Sequence, residues 1–261
     1  MTARLGLILV TLLWAGAGQA REIRLCMTGR EFLPINSPSF EAPGQYLARQ
    51  AIERQGDKAL FVGLPWRRCV EGLRHGEFDG AIGMAATESF LTFMRFPEAG
   101  GKADPSKALG DLVYVAVRLK GSAANWDGEH FIGLHRPVIY NAPSLLLADK
   151  MHRLGAGDPN GSLSEEQMLS MLVAGRADLA VGRRDVFAAL IAGEAFRDRI
   201  EMLPVPFVAA PSYLAFRNLF TDDMPFYAER VWDEIGRLTA APDWPQIKQR
   251  LLTERKPFKP S

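Results

Sequence analysis

The chain has 261 residues, 48% of them hydrophobic and 23% charged, and its 31 Lys and Arg residues almost balance 30 Asp and Glu residues. This balance excludes a typical nucleic-acid-binding protein, which would carry a clear excess of basic residues. The length allows one large domain or two of ordinary size, and the apolar content is sufficient for their cores.

Residues 1–20 have the features of a secretory signal peptide. Arg4 supplies a positive charge, an apolar run follows from Leu5 to Trp14, and Gly18-Gln19-Ala20 provides the small residues of a cleavage site. The run is too short to span a bilayer, which disfavours the alternative of an uncleaved membrane anchor. We therefore expect cleavage after Ala20 and an exported, soluble mature protein.

Two cysteines, Cys26 and Cys69, are expected to pair in an exported chain. Cys26 lies in the first predicted strand, Arg21 to Met27, and Cys69 lies at the start of a predicted helix. Neighbouring elements of one sheet would bring the two residues within bonding distance. The alternative is a pair of buried free thiols, but the oxidising compartment favours the disulfide.

The next part of the chain alternates strands and helices. Apolar residues at helical spacing predict a helix over 45–55, and an apolar run predicts a strand over 58–64. Within the stretch from Leu64 to Phe90, a helix pattern stops at Gly76, a buried strand follows Asp79, and a polar turn comes next. Because ligands of open α/β sheets bind at the carboxyl ends of strands, this turn is a candidate site.

A later part of the chain repeats this pattern. The residues from Leu169 to Gly182 match those from Val70 to Gly83, with a helix, a Gly stop, an Asp and a strand in the same order. Asp178 corresponds to Asp79 in this alignment. Two such units, separated by about a hundred residues, indicate two similar α/β lobes.

The boundaries of the two lobes follow from breaks in the pattern. The stretch from Glu98 to Gly110 is rich in Gly, Pro and charge, and we place the first crossing between lobes there. The later predicted elements are strands over 111–119, 200–208 and 212–216 and helices over 225–240 and 244–252. We therefore assign residues 21–105 and 212–261 to the first lobe and residues 106–211 to the second.

The stretch LPWRRCVEGLRHGEFDGAIG, followed by Thr87 and Phe96-Pro97, resembles the signature of the bacterial family 3 extracellular solute-binding proteins, the amino-acid-type periplasmic binding proteins. In that family a Pro-Trp-x-Arg corner precedes a helix ending in G-x-x-D, a strand, a Thr and a Phe-Pro. MLVAGRADLAVG and PSYLAF resemble the second-lobe and return-strand patterns. The resemblance implies an α/β fold of two Rossmann-like lobes, joined by two crossing strands and closing on a solute in the cleft between them.

The resemblance also implies a set of ligand-binding residues. A hydroxyl at a strand's carboxyl end can donate and accept, which suits Thr87, whereas Phe32 and Trp66 have packing as an alternative role. The candidate residues are Phe32, Trp66, Thr87 and Phe90 in the first lobe and Ser144 and Arg183 in the second.

One position departs from the family pattern. The usual Thr-x-x-Arg motif holds a ligand carboxylate through its Arg, but Phe90 stands at the Arg position here. This departure disfavours a standard α-amino acid as the ligand. In the second lobe, Asp185 corresponds to the acidic residue that contacts a ligand ammonium in many members, and Arg183 and Arg184 would give the cleft a basic lip.

The sequence thus predicts a monomeric periplasmic solute-binding protein that needs no cofactor or metal. It would capture a small polar, amino-acid-like solute for an ABC-type importer and contact an inner-membrane permease. The four His residues show no metal-ligand spacing. Two alternatives are a periplasmic receptor that signals without transport and an enzyme similar to the cyclohexadienyl dehydratases. The enzyme would need an acid or base in the cleft, for which Glu31 and Glu88 are the nearest candidates.

Overall fold

The computed structural model describes residues 20–140, 145–155 and 163–257. Within these ranges the strands are β1 Glu22–Thr28, β2 Lys58–Leu64, β3 Gly80–Met84, β4 Met94–Arg95, β5 Glu98–Ala99, β6 Lys102–Ala103, β7 Gly110–Leu119, β8 Asn125–Trp126, β9 Phe131–Ile132, β10 Val138–Tyr140, β11 Leu179–Arg183 and β12 Ile200–Arg217. The α-helices are α1 Pro43–Glu53, α2 Trp66–His75, α3 Glu88–Leu91, α4 Leu145–Arg153, α5 Glu165–Val173, α6 Arg184–Ala192, α7 Asn218–Asp223, α8 Tyr227–Thr239 and α9 Trp244–Glu254.

A mixed sheet runs through the molecule in the strand order β10, β11, β7, β12, β3, β1, β2, and β4 pairs with the end of β12. The pairs β1–β2, β1–β3 and β10–β11 are parallel, whereas β12 is antiparallel to both β3 and β7. Parallel neighbours require a crossover, and α1, α2 and α5 lie in the connections that provide it. The α/β fold class predicted from the sequence is confirmed.

The longest strand, β12, connects the two halves of the sheet. Its residues 200–212 pair with β7, whereas residues 213–217 pair with β3 and β4. The sequence predicts two separate strands here, over 200–208 and 212–216, but residues 209–211 also pair with β7 and the strand continues. The register shifts on either side of Pro206, where a bulge accommodates a residue that has no N–H for the ladder. The lobe boundaries derived from the sequence stay a prediction.

The predicted disulfide is present between Cys26 of β1 and Cys69 of α2, whose Cα atoms are 5.6 Å apart. Both cysteines are fully buried in an apolar cluster that also contains Leu73 and Phe78. Helix α2 ends at Gly76, whose φ of +80° is the left-handed conformation that Gly adopts without a Cβ penalty. The bond therefore ties the helix of the first unit to the strand beside it.

The apolar cores show that the two halves pack against each other. The largest cluster of buried residues includes Ile35 and Ile82 from the first half and Tyr114 and Tyr140 from the second. Smaller clusters lie around the disulfide and beneath β11. In the described ranges, no helix combines the length and the apolar character that a membrane crossing requires.

Candidate functional site

The two echoed Asp residues bind backbone groups of the neighbouring strand or loop. Oδ2 of Asp79 accepts a hydrogen bond from the Arg24 N–H at 2.7 Å, and Oδ2 of Asp178 accepts one from the Arg136 N–H at 2.6 Å. Burial opposes the ionisation of Asp178, but hydrogen bonds from backbone N–H groups and from Arg136 outweigh it, so its pKa lies below the ordinary value. We therefore interpret the repeated Asp of the pattern as a structural residue, which holds a neighbouring strand or loop by its backbone N–H groups.

At the carboxyl end of β11, Arg183 reaches the first half of the molecule. Its guanidinium carbon lies 4.2 Å from the centroid of the Phe32 ring, and its Nη1 donates to the carbonyl oxygen of Glu31 at 2.7 Å. The negative face of an aromatic ring attracts a cation in this position. Two residues selected from the sequence, Phe32 and Arg183, therefore meet where the two halves join.

The rest of the Arg183 guanidinium is bound by Asp185. Nε donates to Oδ1 of Asp185 at 3.1 Å and Nη2 donates to Oδ2, which makes a bidentate pair. The Arg183 side chain is only 15% exposed. The positive charge expected at the lip of the cleft is thus balanced by a carboxylate two residues further along the chain.

The Phe32 ring is held in place by its own loop and by β3. The backbone N–H of Phe32 donates to the Asn36 carbonyl at 2.8 Å, and its carbonyl accepts from the Ile35 N–H at 2.7 Å. Gly83 has a φ of +89°, and a Cβ at this position would lie 3.7 Å from the ring. Sequence reasoning did not select Gly83. It considered Glu31 only for its carboxylate, whereas the contact with Arg183 is made by the backbone carbonyl of Glu31.

Thr87 follows β3 and precedes α3, at the predicted carboxyl end of the strand. Its carbonyl accepts hydrogen bonds from the N–H groups of Phe90 and Leu91, both at 3.0 Å, but its side chain does not cap the helix. Oγ1 is buried and has no hydrogen-bond partner within the described residues. Because buried hydroxyls are rarely left without a partner, Thr87 offers an unused donor and acceptor at this strand end.

Phe90 lies inside the first half of the molecule and packs against Trp66, which is partly buried. Their ring centroids are 6.3 Å apart in an edge-to-face arrangement, and Phe93 packs against Phe90 at 6.0 Å. Phe90 is 4% exposed and belongs to the cluster around the disulfide, whereas Phe32 packs on the larger cluster. The structure therefore does not bring Phe90 together with Phe32, and a contact between Phe90 and a solute stays a prediction.

The last candidate, Ser144, lies outside the described residues. Two surface cavities of about 380 and 300 Å³ occur in the second half. The first is lined by Leu163, Glu166, Gln167, Ser170 and Met171, and the second by His130, Phe131, Leu134, Leu154 and Gly155. Neither includes a sequence-selected residue. Across residues 20–140, 145–155 and 163–257, no group of three or more His, Cys, Asp or Glu residues is placed to hold a metal ion.

No protein-family model matches the chain, and no curated protein matches it. Solved structures do share its fold. A histidine kinase sensor domain with similarity to periplasmic binding proteins has a TM-score of 0.64 at 16% identity, covering 90% of this chain and 97% of that one. A mutant of ArgBP from T. maritima has a TM-score of 0.64 at 15% identity, covering 89% and 95%.

A third similar structure is the amino acid ABC transporter substrate-binding protein AbpA from Streptococcus pneumoniae bound to L-arginine. It has a TM-score of 0.60 at 12% identity, covering 88% of this chain and 94% of that one. At this level of sequence identity, structural similarity establishes the fold alone. The chain therefore has the two-lobed type II periplasmic binding fold that its sequence pattern predicted.

Proposed function

We propose that this protein is a periplasmic, monomeric solute-binding protein of family 3, which captures a small polar solute between its lobes for an ABC-type importer. The observation that supports the proposal best is the contact of Phe32 with Arg183. The Arg183 guanidinium carbon lies 4.2 Å from the centroid of the Phe32 ring, and the two residues come from opposite halves of the molecule. Ligands of α/β sheets bind at strand ends of this kind, and hinge closure brings groups from two lobes onto one ligand.

The proposed roles follow from the chemistry of each side chain. Phe32 offers an aromatic face, and Thr87 offers a hydroxyl that is buried and without a partner within the described ranges. Arg183 and Asp185, which form an ion pair with each other, lie at the other side of the junction. With Phe90 at the position of the family's carboxylate-binding Arg, we expect an amino-acid-related solute rather than a standard α-amino acid.

The proposal includes no catalytic step. The Glu31 carboxylate lies 3.9 Å from Nη1 of Arg255, and Glu88 is exposed at the start of α3. Catalytic acids are usually found in clefts, whereas both of these residues are exposed. Turnover of a solute that is lost in Glu88→Gln would favour the enzyme alternative.

A second candidate function is sensing of the same class of solute without transport. The fold shared with a histidine kinase sensor domain favours this candidate. The two functions differ in the effect of deleting the gene. Loss of solute uptake would support the importer, whereas unchanged uptake with an altered transcriptional response to the solute would support the sensor.

The binding proposal is tested by a thermal-shift screen of amines, guanidines, amino acids, dicarboxylates and aromatic acids, followed by calorimetry on each hit. A solute that binds only the folded protein must raise the melting temperature. Phe32→Leu should weaken binding of a true ligand at least tenfold, whereas Phe226→Leu, at a ring that is 73% exposed, should not. Equal affinities in the two variants would place the ligand elsewhere.

A further inference from the structure

The cation that lies on the face of the Phe32 ring is a side chain of the protein itself, that of Arg183. The Arg183 guanidinium meets three features there: the ring face at 4.2 Å, the Glu31 carbonyl at 2.7 Å and the Asp185 carboxylate at 3.1 Å. An aromatic face, a carbonyl acceptor and a carboxylate together are the complement of a guanidinium or an ammonium group. The junction between the lobes is thus built to hold a cation.

We propose that Arg183 acts as a tethered ligand, filling a guanidinium subsite formed by Phe32, Glu31 and Asp185 and holding the two lobes closed without a solute. The inference rests on the proposed function in one respect, namely that the junction between the lobes is the ligand site. It goes beyond that function because it identifies guanidinium as the class of group that the subsite binds and Arg183 of the same chain as its occupant.

The alternative role for Arg183 is that of a clamp for an anionic solute. The bidentate pair with Asp185 argues against that role, because the nearest carboxylate already neutralises the charge and occupies two guanidinium nitrogens. The third nitrogen donates to Glu31. An incoming anion would have to compete with an intramolecular carboxylate, which has a high effective concentration.

The ring that receives the guanidinium is preorganised. The Phe32 loop is closed by hydrogen bonds between backbone groups of Phe32, Ile35 and Asn36. On its outer side, the Glu31 carboxylate lies 3.9 Å from Arg255, whose guanidinium carbon lies 5.1 Å from the Phe40 ring centroid. A subsite that keeps its shape when Arg183 is removed should accept a free guanidinium at little ordering cost.

The test uses chemical rescue in the full mature chain. Arg183→Ala is compared with Arg184→Ala, which removes the exposed neighbouring Arg. Spin labels at Arg67→Cys and Asp198→Cys, which are 90% and 91% exposed in the wild-type chain, report the distance between the lobes. We expect the wild type and Arg184→Ala to give one short, narrow distance distribution and Arg183→Ala to give a longer, broader one.

Methylguanidinium at millimolar concentration should return the Arg183→Ala distribution to that of the wild type, whereas methylurea, its neutral isostere, should not. An Arg183→Ala variant that is as closed as the wild type would overturn the proposal. A variant that opens but responds equally to both compounds, or to neither, would overturn the guanidinium subsite. If Arg183→Ala does not fold, Arg183→Gln is measured in the same way, since it keeps a polar side chain and removes the charge.

These measurements separate the two proposals because the lobe distance is recorded without any natural solute. A failed rescue would overturn the guanidinium subsite alone, because solute binding is tested by the thermal-shift screen. Conversely, a successful rescue with no hit in the screen would retain the tethered guanidinium and remove the solute-binding function. As a ligand-side check, free guanidines should bind Arg183→Ala at least tenfold more tightly than the wild type, in which Arg183 competes for the subsite.

Discussion

The backbone nitrogen of Arg21 lies 3.0 Å from Oδ1 of Asp57, and the Arg21 guanidinium reaches Oδ2 of the same carboxylate at 3.2 Å. Arg21 is the first residue after the predicted cleavage site, and the Asp57 side chain is 5% exposed. Cleavage after Ala20 would replace an amide N–H by an α-ammonium at this position. The mature protein would then gain a charge-assisted hydrogen bond that the precursor lacks.

We therefore expect the chain beginning at Arg21 to be more stable than one that retains residues 16–20, by about 1 kcal/mol at about pH 6, where an α-amino group is charged. Urea unfolding of both forms measures the difference. Asp57→Asn should reduce it, because the amide keeps the shape and removes the negative charge of the acceptor. An equal difference in Asp57→Asn would show that the stabilisation has another origin.

The same pair predicts a pH dependence of stability. Burial raises the pKa of Asp57, but the hydrogen bonds from Arg21 outweigh burial and lower it below the ordinary value. A carboxyl whose pKa is lowered by folding stabilises the protein above the pKa of the unfolded chain, near about 3.9, and loses this contribution as the pH falls. Relative to Asp57→Asn, the wild type should therefore lose stability on acidification below about pH 4.

The disulfide between Cys26 and Cys69 should contribute strongly to stability. It closes a loop with a sequence separation of 43, which corresponds to about 4 kcal/mol on the chain-entropy model. We expect the double variant Cys26→Ala with Cys69→Ala to lose this free energy of unfolding and therefore to unfold at a lower urea concentration. Non-reducing mass analysis should find no free thiol in the wild type, and two free thiols would contradict the bond.

Thr87→Val, which removes the hydroxyl, should leave the ligand-free protein as stable as before, or up to about 1 kcal/mol more stable. The reason is that Oγ1 is buried with no partner in the part of the chain that the structure describes. The matched control is Thr221→Val, since Oγ1 of Thr221 donates to the Asn218 carbonyl at 2.7 Å. That variant should lose about 1 kcal/mol in urea unfolding. Equal losses in the two variants would mean that Thr87 has a structural partner.

Phe90→Ala should destabilise the protein by about 3–5 kcal/mol, because the ring is almost fully buried between Trp66 and Phe93. Phe226→Ala, at the exposed ring, should change stability by less than about 0.5 kcal/mol. Thermal and urea unfolding distinguish the two. A small loss of stability in Phe90→Ala, accompanied by a large loss of solute affinity, would support the predicted role of Phe90 in binding.

Much of the fold could be read from local patterns. The helix over 45–55 appears as α1, the strand over 58–64 as β2, and the two helix-Gly-Asp-strand units as α2–β3 and α5–β11. Periodicity and glycine stops are properties of adjacent residues, so they survive in a single sequence. The predicted break between residues 208 and 212 is wrong, because the pairing of residues 209–211 depends on the facing strand β7.

The sequence by itself determined the α/β class, the two echoed units and the cysteine pair, because these depend on residue type and local spacing. It also selected Phe32 and Arg183 as separate candidates. Only the tertiary structure decided that they contact each other, that Asp185 neutralises the guanidinium and that Phe90 lies in the core. Phe32 and Arg183 are far apart in the chain, so their contact depends on how β12 and β7 pack the two halves together. The Arg183–Asp185 pair and the burial of Phe90 depend on side-chain placement, which local spacing does not determine.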